Sequence, residues 1–254
     1  MDVQILGCYG GQLPEKRLTS FLINGNVLID AGGVTGGLDF EGQKKIDHVV
    51  ISHAHLDHIK DLPMLADNVI GSRPDPIEVV SAPEVIATLR NHVLNNHVWP
   101  DFTVIPTADA PVLRYREEPV RQTFEVAGLT IEFIPVNHPV PTNGMFISDG
   151  KSTLLFTADT GPTDEIWARA ADYPDLSAVI LEISFPNNLA DLSLLSGHLS
   201  PCHIPEELAK LGRDDIPAYI YHFKPGFEGA LIEEVADLNI PHLRPLVQGE
   251  HIQV

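Results

Sequence analysis

The sequence feature that most constrains the fold of this chain is the hexad His53-Ala54-His55-Leu56-Asp57-His58. The apolar run Val49-Val50-Ile51 precedes it and predicts a buried strand that ends where the histidines begin. Three imidazoles and one carboxylate supply the nitrogen and oxygen ligands that a divalent metal such as zinc prefers. A solvated polar turn is the alternative, but so dense a pattern rarely arises by accident. The hexad therefore predicts a metal site held by the end of a rigid strand.

The hexad offers ligands for two neighbouring ions. His53 and His55, two apart in an extended turn, can bind one ion, while Asp57 and His58 point to a neighbouring position. These four side chains do not complete two coordination shells. Further ligands must therefore come from strand ends downstream.

Three downstream residues stand where predicted strands end, and each is of a type that binds metals. They are His138, Asp159 and His222. A lone residue of this kind after a strand is more often part of a turn, but three together suit a half-filled site. With the hexad they give five histidines and two carboxylates. That set suits two metals if one carboxylate bridges and water fills the open positions.

Other polar side chains are candidates for contact with substrate. His198 lies in the turn Gly197-His198-Leu199-Ser200-Pro201, just before a predicted helix, which suggests substrate contact more than metal binding. His97 and Trp99 lie on an extended loop, where rim or interface positions are the main interpretation and substrate contact is the alternative. Asp30 ends a predicted strand and faces the same region. Four histidines have no such setting and are interpreted as structural or exposed: His48, His203, His242 and His251.

Hydrophobic periodicity predicts an α/β fold. Three apolar runs, Val3–Gly7, Leu18–Ile23 and Val27–Asp30, predict an antiparallel sheet with a hairpin turn at Asn24-Gly25. After the hexad, strands alternate with helices, and the second half repeats this rhythm before a terminal strand pair. No low-complexity linker divides the chain. The prediction is one domain over residues 1–254, an αββα sandwich of two mixed β-sheets with helices on the outer faces.

Charge and cysteine content restrict the partners. The 254 residues include 16 Lys and Arg against 35 Asp and Glu, a net charge of −19 with neutral histidines, and such a surface repels nucleic-acid polymers. A small anionic substrate stays compatible because bound cations would bring positive charge into the cleft. Cys8 and Cys202 are interpreted as free thiols in a reducing compartment. With no signal-peptide pattern and no apolar run of membrane-spanning length, we expect a cytoplasmic protein without a membrane partner.

The hexad, followed in order by His138, Asp159 and His222, resembles the metallo-β-lactamase superfamily of dinuclear hydrolases, and the resemblance covers essentially the whole chain. Three further segments are similar to class II cyclic nucleotide phosphodiesterases: Trp99-Pro100-Asp101-Phe102, Leu181-Glu182-Ile183-Ser184-Phe185 and Gly197-His198-Leu199-Ser200-Pro201. The chain departs from that pattern at Lys60-Asp61-Leu62-Pro63, where a small residue and a Ser are usual, and it is shorter than fungal members.

The resemblance implies a role for each candidate ligand. One ion would be bound by His53, His55 and His138, the other by Asp57, His58 and His222, with Asp159 bridging. Zinc is the default for so His-rich a shell, and manganese or iron(II) are alternatives.

The resemblance also implies a reaction. A 3′,5′-cyclic nucleotide such as cAMP or cGMP would be hydrolysed to the 5′-monophosphate through a metal-bridging hydroxide. Asp57 and His198 are the predicted catalytic residues, with His198 as the acid that protonates the leaving 3′ oxygen. His198, His97 and Trp99 are the predicted substrate contacts.

Three alternatives stay open at this point. The same metal site can serve a lactone or thioester hydrolase. A tRNA 3′-processing nuclease shares the fold, but it needs a basic arm, and this sequence has no Lys and Arg cluster. A non-catalytic, metal-dependent nucleotide-binding module is the third. A homodimer is compatible with the sequence and is not specified by it.

Overall fold

A computed structural model describes residues 1–254. Most strands are short, as expected where turns punctuate the sequence. In chain order the strands are β1 (Asp2–Gly7), β2 (Ser20–Ile23), β3 (Val27–Ile29), β4 (His48–Val50), β5 (Ile77–Ser81), β6 (Pro106–Thr107), β7 (Ala110–Pro111), β8 (Leu113–Glu117), β9 (Thr123–Val126), β10 (Leu129–Pro135), β11 (Asn143–Ser148), β12 (Thr153–Phe156), β13 (Leu176–Glu182), β14 (Ala218–Tyr221), β15 (Leu243–Pro245) and β16 (His251–Gln253).

The helices fall into two groups in the sequence, one on each side of a long run of strands. In chain order they are α1 (Val34–Gly37), α2 (Phe40–Gln43), α3 (Leu56–Ile59), α4 (Leu62–Val69), α5 (Pro83–His92), α6 (Glu165–Ala170), α7 (Ala190–Leu195), α8 (Ile204–Leu211) and α9 (Glu228–Asp237). Short 3₁₀ turns cover Asn187–Leu189, Pro201–His203 and Pro225–Phe227. None of the helices is long and apolar enough to cross a membrane.

Two seven-stranded sheets form the framework. The first has the order β16-β1-β2-β3-β4-β5-β8 and the second β15-β14-β13-β12-β11-β10-β9, while β6 and β7 form a separate ribbon. In the first sheet β16, β1, β2 and β3 are antiparallel, and β3 to β8 are joined in parallel. In the second, β9 to β12 are antiparallel and β12 to β15 parallel. Each sheet is therefore mixed, and the two halves of the chain repeat one plan.

The apolar side chains define four layers. One core lies between the sheets and contains Phe21 from the first and Phe133 and Phe156 from the second. A second core joins the outer face of the first sheet to the helices that include α4 and α5. A third joins the second sheet to α6, α8 and α9. Since a sheet must bury both apolar faces, this arrangement is an αββα sandwich, which confirms the predicted fold class.

Local sequence signals account for several elements. The hairpin predicted at Asn24-Gly25 joins β2 to β3, and both residues have positive φ, 49° and 80°, the conformation that Asn and Gly favour in tight turns. α5 begins at Pro83, where its missing N–H costs nothing. Element boundaries differ from the sequence prediction by one to a few residues, as helix and strand ends commonly do.

The predicted terminal strand pair is wrong. β15 and β16 are not partners: β15 pairs with β14 in the second sheet, and β16 pairs with β1 in the first. The last segment of the chain therefore crosses from one sheet to the other. Strand order depends on pairing with residues far away in the sequence, which a local apolar pattern does not specify.

Candidate metal centre

The candidate ligands lie at the carboxyl ends of strands from both sheets. The hexad follows β4 and leads into α3, whereas His138, Asp159 and His222 follow β10, β12 and β14. The last three strands run in one direction within the second sheet, so their carboxyl ends meet at one edge. The seven predicted ligands converge there, in two groups, at the boundary between the sheets.

The first group consists of three histidines. The ligand nitrogens of His53, His55 and His138 lie within 4.8 Å of one another. Their ring centroids are 4.8 to 5.1 Å apart, and His138 Nε2 is 3.1 Å from His55 Nδ1. These three nitrogens face a common point, which is the arrangement that one metal ion requires.

The second group combines two histidines and two carboxylates. Asp57, His58, Asp159 and His222 each offer an atom within 4.8 Å of the others. His222 Nε2 is 3.2 Å from Asp57 Oδ2 and 3.1 Å from Asp159 Oδ2. The mixture of imidazole nitrogen and carboxylate oxygen suits a divalent first-row ion.

One oxygen of Asp159 lies between the groups. Oδ2 is 3.2 Å from His58 Nε2 and 3.1 Å from His222 Nε2 in the second group, and 3.8 Å from His53 Nε2 in the first. A carboxylate oxygen in this position can serve both groups. Asp159 Oδ2 therefore lies within 3.8 Å of a nitrogen from each group, and its role as a bridging ligand stays a prediction.

The centre contains buried polar atoms that no group of the chain satisfies. His53 Nε2, His58 Nε2 and Asp159 Oδ2 are inaccessible to solvent and make no hydrogen bond. An unpaired buried polar atom costs about 1–3 kcal/mol, so three at one point call for an occupant. Because all three are atoms of types that bind metals, the residues fit divalent metal ions.

Outer hydrogen bonds orient the imidazoles. Asp30 Oδ2 is 2.7 Å from His58 Nδ1, and Ser52 Oγ lies 3.0 Å from His53 Nδ1 while donating to Asp30 Oδ2 at 2.7 Å. Such contacts fix the ring nitrogen that faces the metal. The sequence predicts that Asp30 ends a strand and faces the metal site. In the structure it contacts the candidate ligand His58.

The second sheet supplies equivalent contacts. Gly197 O accepts from His138 Nδ1 at 2.8 Å, and Ser184 Oγ lies 2.8 Å from His222 Nδ1. Four imidazoles therefore have Nδ1 engaged and Nε2 directed inward. Nothing in the sequence around Ser184 or Gly197 indicates these contacts, since each joins residues far apart in the chain; Ser52 was detectable only as the neighbour of the hexad.

Close backbone approaches support the hexad. A Cβ at Gly32 would lie 1.9 Å from Asp57 O, so only glycine fits there. Next to it, Ala31 N donates to His58 O at 2.6 Å. The glycines after β3 thus let the chain pass directly beneath the ligand turn.

Burial and neighbouring charges set the protonation of the ligands. Burial lowers the pKa of His53, His138 and His222, which favours the neutral imidazole that a metal binds. Burial would raise the pKa of Asp159, but the charges of His222 and His58 outweigh it and lower that pKa well below the usual range.

His58 behaves differently. Burial acts to lower its pKa, but the carboxylates of Asp159 and Asp30 raise the pKa well above its usual value. These two carboxylates therefore favour a proton on His58. Metal binding at His58 Nε2 would oppose that protonation, because a nitrogen that binds a metal cannot also carry a proton.

His198 stands beside both groups with one nitrogen already engaged. Its ring centroid is 5.1 Å from that of His138 and 5.2 Å from that of His222. Nδ1 donates to Glu182 Oε1 at 2.9 Å. Burial opposes protonation, but the charge and hydrogen bond of Glu182 outweigh it and raise the pKa of His198. Since a carboxylate only accepts hydrogen bonds, Nε2 is the nitrogen left for other chemistry.

The carboxylate of Glu182 also connects to the second ligand group. Glu182 is fully buried at the end of β13, and its Oε2 accepts from Ser184 Oγ at 3.1 Å. Ser184 in turn contacts His222. One side chain therefore orients His198 directly and His222 through Ser184. Sequence analysis missed Glu182, although it lies in a segment that was singled out as family-like.

His97 and Trp99 lie away from these contacts. His97 is exposed, and its backbone N–H donates to Asn95 Oδ1. Trp99 packs against the core under the first sheet, with its backbone bonded to Val93 and Asn96. Neither enters a hydrogen bond or ring contact of the centre, so their contact with substrate stays a prediction. Of the four histidines set aside, His48 lies near Glu78, His203 bonds to Ser200 N, and His251 bonds to Asp2 at the surface.

A cleft opens beside the centre. It has a volume of about 640 Å³, reaches His138, and is bounded by Pro139, Val140 and Arg121. On the other side Lys224 Nζ donates to Gly10 O at 2.6 Å and lies 3.8 Å from Asp57 Oδ2. The cleft therefore reaches the first ligand group at His138, and one ammonium group lies near Asp57 of the second.

Comparison with known proteins places this arrangement in a family. A beta-lactamase superfamily domain matches residues 26–221. A probable 3′,5′-cyclic-nucleotide phosphodiesterase of Yersinia pestis is 29% identical over an alignment that covers 89% of this chain and 79% of that protein.

Solved structures share the fold. Unliganded yeast PDE1 superimposes with a TM-score of 0.82 at 18% identity, covering 98% of each chain. The short form of human tRNase Z, ELAC1, gives 0.72 at 16% identity, covering 100% of this chain and 99% of that one. Since the family match extends over most of the sequence and includes six of the seven candidate ligands, the protein belongs to the metallo-β-lactamase superfamily of metal-dependent hydrolases.

Proposed function

We propose that the chain hydrolyses 3′,5′-cyclic nucleotides to 5′-monophosphates at a centre of two divalent ions. The observation that carries this proposal is the position of Asp159 Oδ2 between two ligand groups, with the His198–Glu182 pair beside them. A phosphodiester needs charge stabilisation at phosphorus and a proton for its alkoxide leaving group. Ions in the two ligand groups would stabilise the charge, and the His198–Glu182 pair would supply the proton. The phosphodiesterase-named relative supports the choice of substrate.

The ion assignment follows the two groups. His53, His55 and His138 would hold one ion, Asp57, His58 and His222 the other, and Asp159 both. When bound, the ions supply Lewis-acid charge to the phosphoryl group and make water more acidic. Zinc is the first choice for this His-rich set, and manganese or iron(II) are the alternatives.

His198 is proposed to deliver the proton. Glu182 holds Nδ1–H, so the proton to be transferred would reside on Nε2, and a ligand atom of His198 lies within 4.8 Å of those of His138 and Asp159. The 3′ oxygen of the cyclic nucleotide would receive it as the P–O bond breaks. Asp57 contributes as an anionic ligand that also compensates Lys224. Lys224 adds positive charge where an anionic phosphodiester would approach.

A lactone or thioester hydrolase is the competing proposal, because the ligand groups fit those reactions equally well. A thiolate departs without a proton, so the buried Glu182–His198 pair favours the phosphodiester over the thioester. The alkoxide that leaves a lactone needs a proton as a 3′-alkoxide does, so against the lactone it is the phosphodiesterase-named relative that favours the phosphodiester. A tRNA-processing nuclease is disfavoured by the net charge of −19. A pure binding module would have no use for the acid.

The experiment combines elemental analysis with a substrate panel. The protein, purified without added metal, would be analysed for zinc, manganese and iron, and then assayed with cAMP, cGMP, a homoserine-type lactone and an acyl thioester. We expect close to two ions per chain and turnover of the cyclic nucleotides, with the 5′-monophosphate as product. Turnover of the lactone or thioester alone would refute the proposed substrate class. Cytoplasmic location and dimer formation stay separate predictions.

A further inference from the structure

An exposed aromatic pair lies next to His198. Phe185 and Phe227, here called the aromatic wall, have ring centroids 6.1 Å apart at 53°, and Phe185 is 6.2 Å from the His198 ring. Phe227 is 36% exposed and Phe185 is partly buried. Neither contributes to any of the three hydrophobic cores. Packing therefore does not explain why these two large apolar rings stand at the surface beside the centre.

The wall is held in place by the backbone. Phe185 follows β13, and on either side of it Ser184 N donates to Leu199 O at 3.0 Å and Asn187 N donates to Glu234 Oε2 at 2.8 Å. Phe227 ends a 3₁₀ turn that leads directly into α9, and its N–H donates to Lys224 O at 2.9 Å. Backbone hydrogen bonds beside each ring thus hold both rings in place, as a recognition surface requires.

We infer that the aromatic wall is the subsite that binds the nucleobase, by stacking. The inference rests on the proposed function. If His198 protonates the 3′ oxygen, the ribose lies against His198. The base is attached to the same ribose ring, at C1′, and can stack on the one aromatic side chain in ring contact with His198 that is not a candidate ligand. That side chain is Phe185, with Phe227 beyond it.

If the base binds by stacking, the protein should discriminate little between different nucleobases. A ring face attracts every base, and loss of one such platform lowers affinity by about 5- to 150-fold. The ring contacts of the wall are between its two members and with His198, and a phenyl face does not distinguish adenine from guanine. We therefore expect cAMP and cGMP to be used with similar KM values, and a cyclic phosphate without a base to be used poorly.

The test uses Phe227→Leu and Phe185→Leu in the full-length, metal-loaded protein, with Phe40→Leu as the matched control. Phe40 is 48% exposed at the start of α2, outside the centre. Leucine keeps apolar volume and removes the ring. Metal content and circular dichroism would show that each variant folds and loads normally.

Two measurements decide the outcome. In the first, KM for cAMP is compared with KM for ribose 3′,5′-cyclic phosphate. The wall variants should raise KM for cAMP by at least about fivefold with kcat little changed, and leave the base-free substrate unaffected. Equal effects on both substrates, or none, would overturn the inference.

The second measurement does not depend on turnover. The 5′-monophosphate of 2-aminopurine riboside is added, and its fluorescence, which stacking quenches, is followed. Quenching should occur with the wild type and Phe40→Leu and be lost in Phe185→Leu/Phe227→Leu. Unchanged quenching in the double variant would overturn the inference. If the wild type quenches but does not hydrolyse cyclic nucleotides, the proposed function fails while the base subsite stands.

Discussion

Replacing Glu182 with glutamine tests whether a buried negative charge, and not only a hydrogen-bond acceptor, keeps His198 ready to donate a proton. Oε1 of Glu182 accepts from His198 Nδ1 at 2.9 Å, Leu199 N at 3.1 Å and Thr160 N at 3.3 Å, and Oε2 accepts from Ser184 at 3.1 Å. An alanine would leave all these donors unpaired at about 1–3 kcal/mol each and would endanger the fold. Glutamine keeps an oxygen for the donors and removes the charge.

The magnitude follows from the lost charge. A hydrogen bond to a charged group contributes about 1.5–3 kcal/mol, and a neutral one about 0.5–1.5 kcal/mol. The difference of about 1–1.5 kcal/mol corresponds to roughly a 5- to 13-fold change. The charge of Glu182 is what raises the pKa of His198 against the effect of burial. We therefore expect kcat for cAMP to fall about tenfold near neutral pH because less of His198 is protonated.

The assay compares leaving groups. kcat is measured with cAMP and with methyl 4-nitrophenyl phosphate, whose phenolate departs without a proton, in protein whose metal content is known. Glu182→Gln should lower kcat for cAMP and leave the activated ester nearly unchanged. Ser184→Ala is the control, because it removes the contact with His222 Nδ1. That variant should weaken metal binding by about 10–100-fold and recover with added metal on both substrates. An equal loss on both substrates for Glu182→Gln would show that its charge does not act through the leaving group.

Three further predictions test the ligands, the acid and the thiols. Asp159→Ala should abolish turnover and lower the content of both ions, whereas Asp57→Ala should mainly remove one; elemental analysis that finds two ions in either variant would remove that residue from the ligand set. His198→Ala should keep full metal content and lose at least about 10²-fold in kcat for cAMP, with a much smaller loss on the activated ester; equal losses in kcat would make His198 a binding residue. Burial raises the pKa of the Cys8 thiol to about 12, whereas Cys202 is exposed. One thiol should therefore react with a thiol reagent at pH 8 in the native protein, and two after unfolding. Rapid reaction of both thiols in the native protein would contradict the burial of Cys8.

Candidate ligands and strand ends could be predicted from the sequence because both signals are local. The hexad carries its own ligands, and the apolar run before it defines the strand that presents them. His138, Asp159 and His222 could be found because a half-filled site narrows the search to strand ends downstream. The structure brings the seven side chains together in the two groups that the sequence predicted.

The parts that sequence analysis missed depend on contacts across the fold. Glu182 contacts the ring of His198, and Ser184 contacts the ring of His222. The residues next to Glu182 and Ser184 in the sequence give no indication of these contacts. Likewise β16 pairs with β1 at the opposite end of the chain, so a pair of neighbouring strands was the natural but wrong expectation. For Trp99 the sequence suggested a contact with substrate because its segment resembles the family pattern. In the structure this side chain packs against the core under the first sheet.

The distribution of ligands over the two sheets has a mechanical consequence. Each group takes side chains from the turn after β4 and from strand ends of the second sheet, so every bound ion would be a cross-link between the two layers. Metal affinity and the docking of the layers are then thermodynamically linked, and a free ion at a thousand times its Kd would stabilise the docked state by about 4 kcal/mol. A substitution in the core between the sheets can change the spacing of the two layers. Such a substitution would therefore weaken metal binding before it disrupts the secondary structure.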